Sequence, residues 1–160
     1  MPLPESYGVF VVITISPRPV GRNWGTISFA STLYLCPILD LLVAEVPYKW
    51  QAELRLGLQE ALVNAAKHGN KLDPSKIVIV RFSLTDDHYW WAIADQGCGF
   101  TAPWKCNIDG VPNLPPAEAE SGRGLCILKE IFDQVQWNPE GTELKLGKQL
   151  NNRFRLPLVR

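Results

Sequence analysis

From about Tyr48 to His68, apolar residues recur at helical spacing, and the run stops at Gly69-Asn70. Leu54, Leu58, Ala61, Leu62 and Ala65 share one stripe, which predicts a long amphipathic helix that must bury that face. The Gly-Asn pair is a C-terminal stop signal. A helix of this kind needs a platform, and the next segment supplies one. Lys76–Leu84 is rich in Val and Ile, a polar turn follows at Thr85-Asp86-Asp87-His88, and Tyr89–Ala94 is a second apolar run. The pair reads as a hairpin.

The flanking segments extend this plan. Val9–Ile15 and Trp24–Ala30 read as strands, separated by the breakers Pro17 and Pro19. Leu33 to Val46 contains a helix starting near Cys36-Pro37, since proline is accepted in a first turn. Residues 101–121 carry Pro103, Pro112, Pro115 and Pro116, and form a loop too long for a simple connector, so a lid or binding loop is expected. A helix is predicted from about Gly124 to Phe132. Strand Val135–Trp137, a turn at Asn138-Pro-Glu-Gly141 and strand Thr142–Leu150 complete the reading. Strands outnumber helices and the hairpins imply antiparallel pairing. The expected class is α+β: a two-layer sandwich of a mixed, mostly antiparallel sheet with helices on one face. The expected division is an N-terminal extension over 1–23 that adds a strand, a domain over 24–150 and a tail over 151–160.

Composition narrows the function. The length suits one domain. Sixteen basic and sixteen acidic residues give a formal net charge of zero, so the basic footprint of a nucleic-acid binder is missing. The four cysteines, at 36, 98, 106 and 126, form no Cys-x-x-Cys pair, and His68 and His88 are the only histidines. Structural zinc and a disulfide framework are not expected, and a reducing cytoplasm is the default. Val9–Ile15 lacks a positively charged flank and reads as a strand rather than a signal peptide. Pro37, Asp40 and Glu45 interrupt the apolar stretch from Ile27 to Val46, which makes a membrane span there costly.

Three short motifs carry chemistry. Glu60 and Asn64 lie four apart, so they stack on one flank of the predicted helix, and His68 continues the row. The Asn64 side-chain carbonyl is a fitting oxygen ligand for Mg²⁺, and Glu60 one turn earlier can take a proton from a hydroxyl or water. In Asp95-Gln-Gly-Cys-Gly-Phe100, a carboxylate at a strand end can accept a hydrogen bond from an exocyclic amine such as adenine N6. Gly97 and Gly99 let backbone approach a flat ring. In Gly122-Arg123-Gly124-Leu125, glycines opening a helix expose backbone N–H groups suited to phosphate, and Arg123 adds charge. Each motif alone also fits something plainer: a solvated helix edge, a strand-ending turn, a glycine loop. His68 suits a dipole partner at a helix end, and Cys98 suits small filler. No Gly-x-x-x-x-Gly-Lys-Ser/Thr loop and no nucleophile elbow occur.

In this order, the motifs resemble the N box and the two glycine boxes of the GHKL, or Bergerat-type, ATP-binding fold. More narrowly the chain resembles the anti-sigma-factor serine/threonine kinases of bacterial partner-switching systems, over roughly Trp24 to Leu150. The carrying stretches are Leu58–Gly69, Ala94–Phe100, Glu120–Leu128 and Gly141-Thr142. The resemblance implies ATP and Mg²⁺ as cofactors, Glu60 as general base and Asn64 as metal ligand. It implies Asp95, Gly97 and Gly99 around the adenine, Thr142 holding the adenine side, and Gly122, Arg123 and Gly124 at the phosphate end of a lid over 101–121. It further implies protein partners, namely a sigma factor and an antagonist with a Ser or Thr acceptor, and a homodimer. Two other readings stay open: a non-catalytic ATP/ADP-binding module, and the ATP lobe of a histidine kinase whose phosphoacceptor helix is encoded elsewhere.

Overall fold

The computed structural model describes residues 12–16, 24–85, 88–99 and 119–149. Among the described residues six strands form one sheet: β1 (Ile13–Ser16), β2 (Trp24–Ala30), β3 (Ile77–Leu84), β4 (His88–Ala94), β5 (Gln134–Trp137) and β6 (Glu143–Gln149). Their spatial order is β1-β2-β3-β4-β6-β5. Every pairing is antiparallel, so the sheet is not mixed as expected. The crossover between β4 and β5 carries the third helix to the edge, and β6 returns inside β5.

Alternation along the strands decides which face is buried. Register aligns Ile27 with Val80, Val80 with Ile93 and Ile93 with Leu144, while Phe82, Trp91, Leu146 and Val135 form the neighbouring row. Side chains two apart share a face, so these rows make one apolar surface. Three helices cover it: α1 (Cys36–Val43), α2 (Tyr48–Val63) and α3 (Ala119–Ile131). Leu39 and Leu42 from α1, Leu54, Leu58 and Leu62 from α2, and Leu128 from α3 join the sheet residues in one core. Trp91 is fully buried at its centre, edge-on to Tyr89 at 5.9 Å and to Phe132 at 5.8 Å between ring centroids. This is the two-layer α+β arrangement that the hydrophobic periodicities demand.

Four local features depart from the sequence reading. The strand expected over Val9–Ile15 is Ile13–Ser16, with residues 9–11 outside the described set. The long helix is α-helical only to Val63, and Asn64–Gly69 continues it as a π-helix. The third helix starts at Ala119, five residues before Gly124. Glycines at 122 and 124 lower helix propensity by about 1 kcal/mol each relative to Ala. Tertiary packing overrides that, because both are buried. Finally, Cys36 and Cys98 are free thiols, whereas Cys126 is disulfide-bonded, which composition alone did not suggest. No described helix is long and apolar enough to cross a membrane.

Candidate functional site

The helix layer supplies one wall of the site. Pro47 stands at the N-cap of α2, and buried Leu54, Leu58, Ala61 and Leu62 hold the helix on the sheet. That fixes Glu60 and Asn64 on its flank, half-buried and one turn apart. Asn64 sits where the helix widens, its backbone N–H shared between the carbonyls of Ala61 and Glu60. Single π-helical turns within α-helices recur at functional sites, since they re-aim side chains that regular stacking would otherwise dictate.

Gly124 of α3 completes this wall. A Cβ added there would stand 3.1 Å from Glu60 Oε2, 3.6 Å from Asn64 Nδ2 and 3.8 Å from Asn64 Oδ1. Two motifs sixty residues apart therefore meet at van der Waals distance. Gly122 is buried and Arg123 exposed on the same helix. Because the helix begins at Ala119, Gly124 lies beyond the first turn, so its role is close approach rather than the free N–H donation expected from a helix opening.

The other wall is the end of β4. Asp95 follows the strand directly, and its peptide N–H donates to the Thr142 carbonyl at 2.9 Å. Asp95 Oδ1 accepts the Gly97 N–H at 2.8 Å. Gly69, the last π-helical residue, packs against the Asp95 carboxylate so tightly that a Cβ there would collide with it, and a Cβ on Gly97 would collide with the Gly69 carbonyl. Burial pushes the Asp95 carboxyl above its ordinary value of 3.8, against the lowering effect of the Gly97 N–H and of Lys76. A carboxylate short of solvent in this way gains from a ligand donor, and an exocyclic amine is one.

Gly99 adopts φ +79°, and any Cβ would strike the Glu140 carbonyl and lie 3.5 Å from Thr142 Cγ2. The tight β5–β6 turn is held by Asn138, whose Oδ1 accepts the N–H groups of Thr142 (2.8 Å) and Glu143 (3.0 Å) and whose Nδ2 donates to Thr142 Oγ1 (3.1 Å). Thr142 thus immediately precedes β6 rather than opening it. Asp95, Gly97, Gly99 and Thr142 form one cluster, and Glu60, Asn64 and Gly124 another. The helix from Glu60 to Gly69 links the two. The loop read as a lid lies outside the described residues, apart from the start of α3.

Two asparagines matter beyond what their sequence context suggests. Asn138 lies in a turn and Asn70 at a helix stop, yet both are polar clamps beside the candidate site residues. An Asn spaced four residues before the Thr that precedes a strand, and an Asn directly after the Lys-His-Gly helix end, are the available signals. The donor set fits Mg²⁺ and a nucleotide: an amide oxygen beside a carboxylate, and a glycine surface that leaves room next to both.

An open-faced antiparallel sheet, covered by helices on one side and carrying this helix, strand-end and glycine constellation, defines an ATP-binding domain of the histidine-kinase type. Residues 41–148, more than half of the chain, match the family described as "Histidine kinase-like ATPase domain", and the chain belongs to that family. Among its relatives, the chain is 26% identical over 102 residues to the "Anti-sigma F factor" of Clostridium perfringens (strain SM101 / Type A), covering 62% of this chain and 72% of that protein. It is 30% identical over 104 residues to the "Serine-protein kinase RsbW" of Bacillus subtilis (strain 168), and 31% identical over 104 residues to the protein of that name from Bacillus licheniformis. Each of those two matches covers 62% of this chain and 64% of the relative.

Proposed function

We propose that this protein is an ATP- and Mg²⁺-dependent serine/threonine protein kinase of the anti-sigma type, which holds a sigma factor and phosphorylates an antagonist protein. The observation that carries the reading is the meeting of Gly124 with Glu60 and Asn64. It gathers a candidate base, a candidate metal ligand and an open glycine surface at one point, a helix length away from a carboxylate suited to adenine. The names of the relatives support a protein acceptor and a sigma-factor partner; the antagonist is what the family resemblance implies.

In this proposal Asn64 would hold the metal and Asp95 would accept the amine of the base. Thr142 and the backbone at Gly97 and Gly99 flank the ring, and Arg123 with the α3 glycines faces the phosphates. Bound ATP·Mg²⁺ supplies the transferable phosphoryl group and the positive charge that offsets it. Glu60 would orient the acceptor hydroxyl and take its proton as the hydroxyl oxygen bonds to the γ-phosphorus and the bond to the bridging oxygen breaks, with ADP as the leaving group. General-base help is worth about 10²–10⁴-fold.

The test is transfer of labelled phosphate from ATP to candidate antagonist proteins, with calorimetric nucleotide binding measured in parallel. Glu60→Gln is expected to cut transfer by about 10²–10⁴-fold with ATP affinity retained. Wild-type transfer rates in that variant would remove Glu60 from the mechanism. Nucleotide binding by the wild-type chain with no transfer to any acceptor would instead make it a nucleotide-gated binding module for its regulator.

A further inference from the structure

Asn70 is fully buried, at 0% exposure, which is uncommon for an asparagine. Both side-chain donors and the side-chain oxygen are bonded. Nδ2 donates to Ser31 Oγ at 2.7 Å and to the Ile77 carbonyl at 2.9 Å, and Oδ1 accepts the Gln96 backbone N–H at 2.7 Å. Its own backbone N–H reaches the Ala65 carbonyl at 2.9 Å, within the π-helical segment. One amide therefore joins the end of the Asn64-bearing helix to the residue after β2, the start of β3 and the residue after Asp95. Gln96 closes the ring by accepting the Ile77 N–H on its side-chain oxygen at 2.8 Å.

The consequence falls on Asp95. Its N-terminal side is pinned by the bond to the Thr142 carbonyl, and its C-terminal side by the grip of Asn70 on Gln96. With Gly69 pressed against the carboxylate, rotation of this strand end is closed off from both directions. We propose that Asn70 is a positioning residue of the nucleotide site: its amide fixes the distance and angle between the Glu60–Asn64 helix and the base-reading carboxylate of Asp95. The proposal rests on the nucleotide reading given above. An amide is required because the position needs two donors and an acceptor at once. Aspartate keeps the acceptor and loses both donors, and alanine loses all three.

The test uses the full chain and four readouts: far-UV circular dichroism and thermal melting, hydrogen exchange at the Gln96 amide, and calorimetric affinity for ATP and for GTP. Guanine presents a carbonyl where adenine has its amine, so the ATP-over-GTP ratio reports the placement of Asp95. Asn70→Ala is expected to expose the Gln96 amide to exchange and to lower the ATP-over-GTP ratio by about tenfold, the worth of one well-aligned hydrogen bond. The measurement is made at a temperature where melting shows the variant folded. Ser31→Ala leaves the Gln96 contact intact and is expected to keep the wild-type ratio. Should Asn70→Ala not fold, Asn70→Asp decides, with an expected fall of about threefold at unchanged shape. A folded Asn70→Ala or Asn70→Asp protein with wild-type ATP affinity and wild-type ratio overturns the positioning role. Failure of the wild-type chain to bind either nucleotide would overturn the nucleotide reading itself and is a separate outcome.

Discussion

Gly124 lies close against Glu60: a Cβ at 124 would stand 3.1 Å from Glu60 Oε2, so the carboxylate would have to give by a few tenths of an ångström. The contact is with the far end of a flexible side chain, so Gly124→Ala is accommodated by a shift of the carboxylate rather than by unfolding. Alanine favours the helix over glycine by about 1 kcal/mol, so the variant should be as stable as wild type or slightly more so. Displacing a catalytic group by a full ångström costs on the order of 10²-fold, and the shift needed here is a fraction of that. If Glu60 acts as proposed, phosphotransfer is expected to fall by up to about tenfold while stability holds, a separation read by transfer assays and urea denaturation on the same preparation. Loss of both together would mean that position 124 serves packing alone.

Asp95 separates stability from function as well, through its protonation. Burial holds its carboxyl above the ordinary 3.8 in the folded chain. The folded state then binds the proton more tightly than the unfolded one. The favourable contribution is fully present below about the ordinary value and is lost as pH rises through the raised one. Asp95→Asn removes this dependence and keeps an oxygen for the Gly97 N–H. It should flatten the stability profile between pH 4 and neutrality and leave the ligand-free variant at least as stable as wild type near pH 7. ATP affinity should fall by about tenfold or more, since the charged acceptor is gone. Melting across pH, with and without ATP, checks both halves.

Much of this architecture was legible because it follows from burial periodicity. The hairpin of β3 and β4 follows from a Val- and Ile-rich run and a second apolar run around a polar turn, and the face of α2 from Leu54, Leu58, Ala61 and Leu62. The motif residues were legible because Glu60 and Asn64 stack at four-residue spacing and glycines punctuate the rest. What escaped is tertiary in origin. The π-helical turn after Val63 has no periodic signature, and α3 begins before two buried glycines that local propensity would exclude from a helix. Asn70 looked like a stop signal because its three side-chain partners lie 7, 26 and 39 residues away.

Gly99 should be the least replaceable glycine of the strand-end motif. Its φ of +79° is strained for any L side chain, at about 1–2 kcal/mol, and the Glu140 carbonyl blocks the space a Cβ needs. Gly99→Ala is expected to cost more than that strain alone and to lower ATP affinity, because the colliding turn also carries Thr142. Chemical denaturation at constant m-value and calorimetry check the two effects. An unchanged denaturation midpoint would show that the turn can yield.

Lys148 ties the far end of α3 to the core and so bears on where Gly124 sits. Its side chain is 3% exposed, its Nζ donates to the Ile131 carbonyl at 2.5 Å and to Glu53 Oε1 at 3.3 Å, and it lies 5.1 Å from the Trp50 ring centroid. Ile131 is the last residue of α3, and its carbonyl is one of those a helix cannot satisfy internally. Leaving such a carbonyl unpaired costs about 1–3 kcal/mol. Lys148→Ala should lose that and the packing of the stem, while Lys148→Met keeps the packing and should cost less. Glu53 is 41% exposed, so Glu53→Gln should cost under about 1 kcal/mol. Urea denaturation of the three variants is expected to give that order. A Glu53→Gln loss equal to that of Lys148→Ala would mean that the ion pair, not the capped carbonyl, anchors the helix. If α3 is held from this end, Lys148→Ala should also slow transfer in protein that remains folded, through Gly124 and Glu60 rather than through nucleotide affinity.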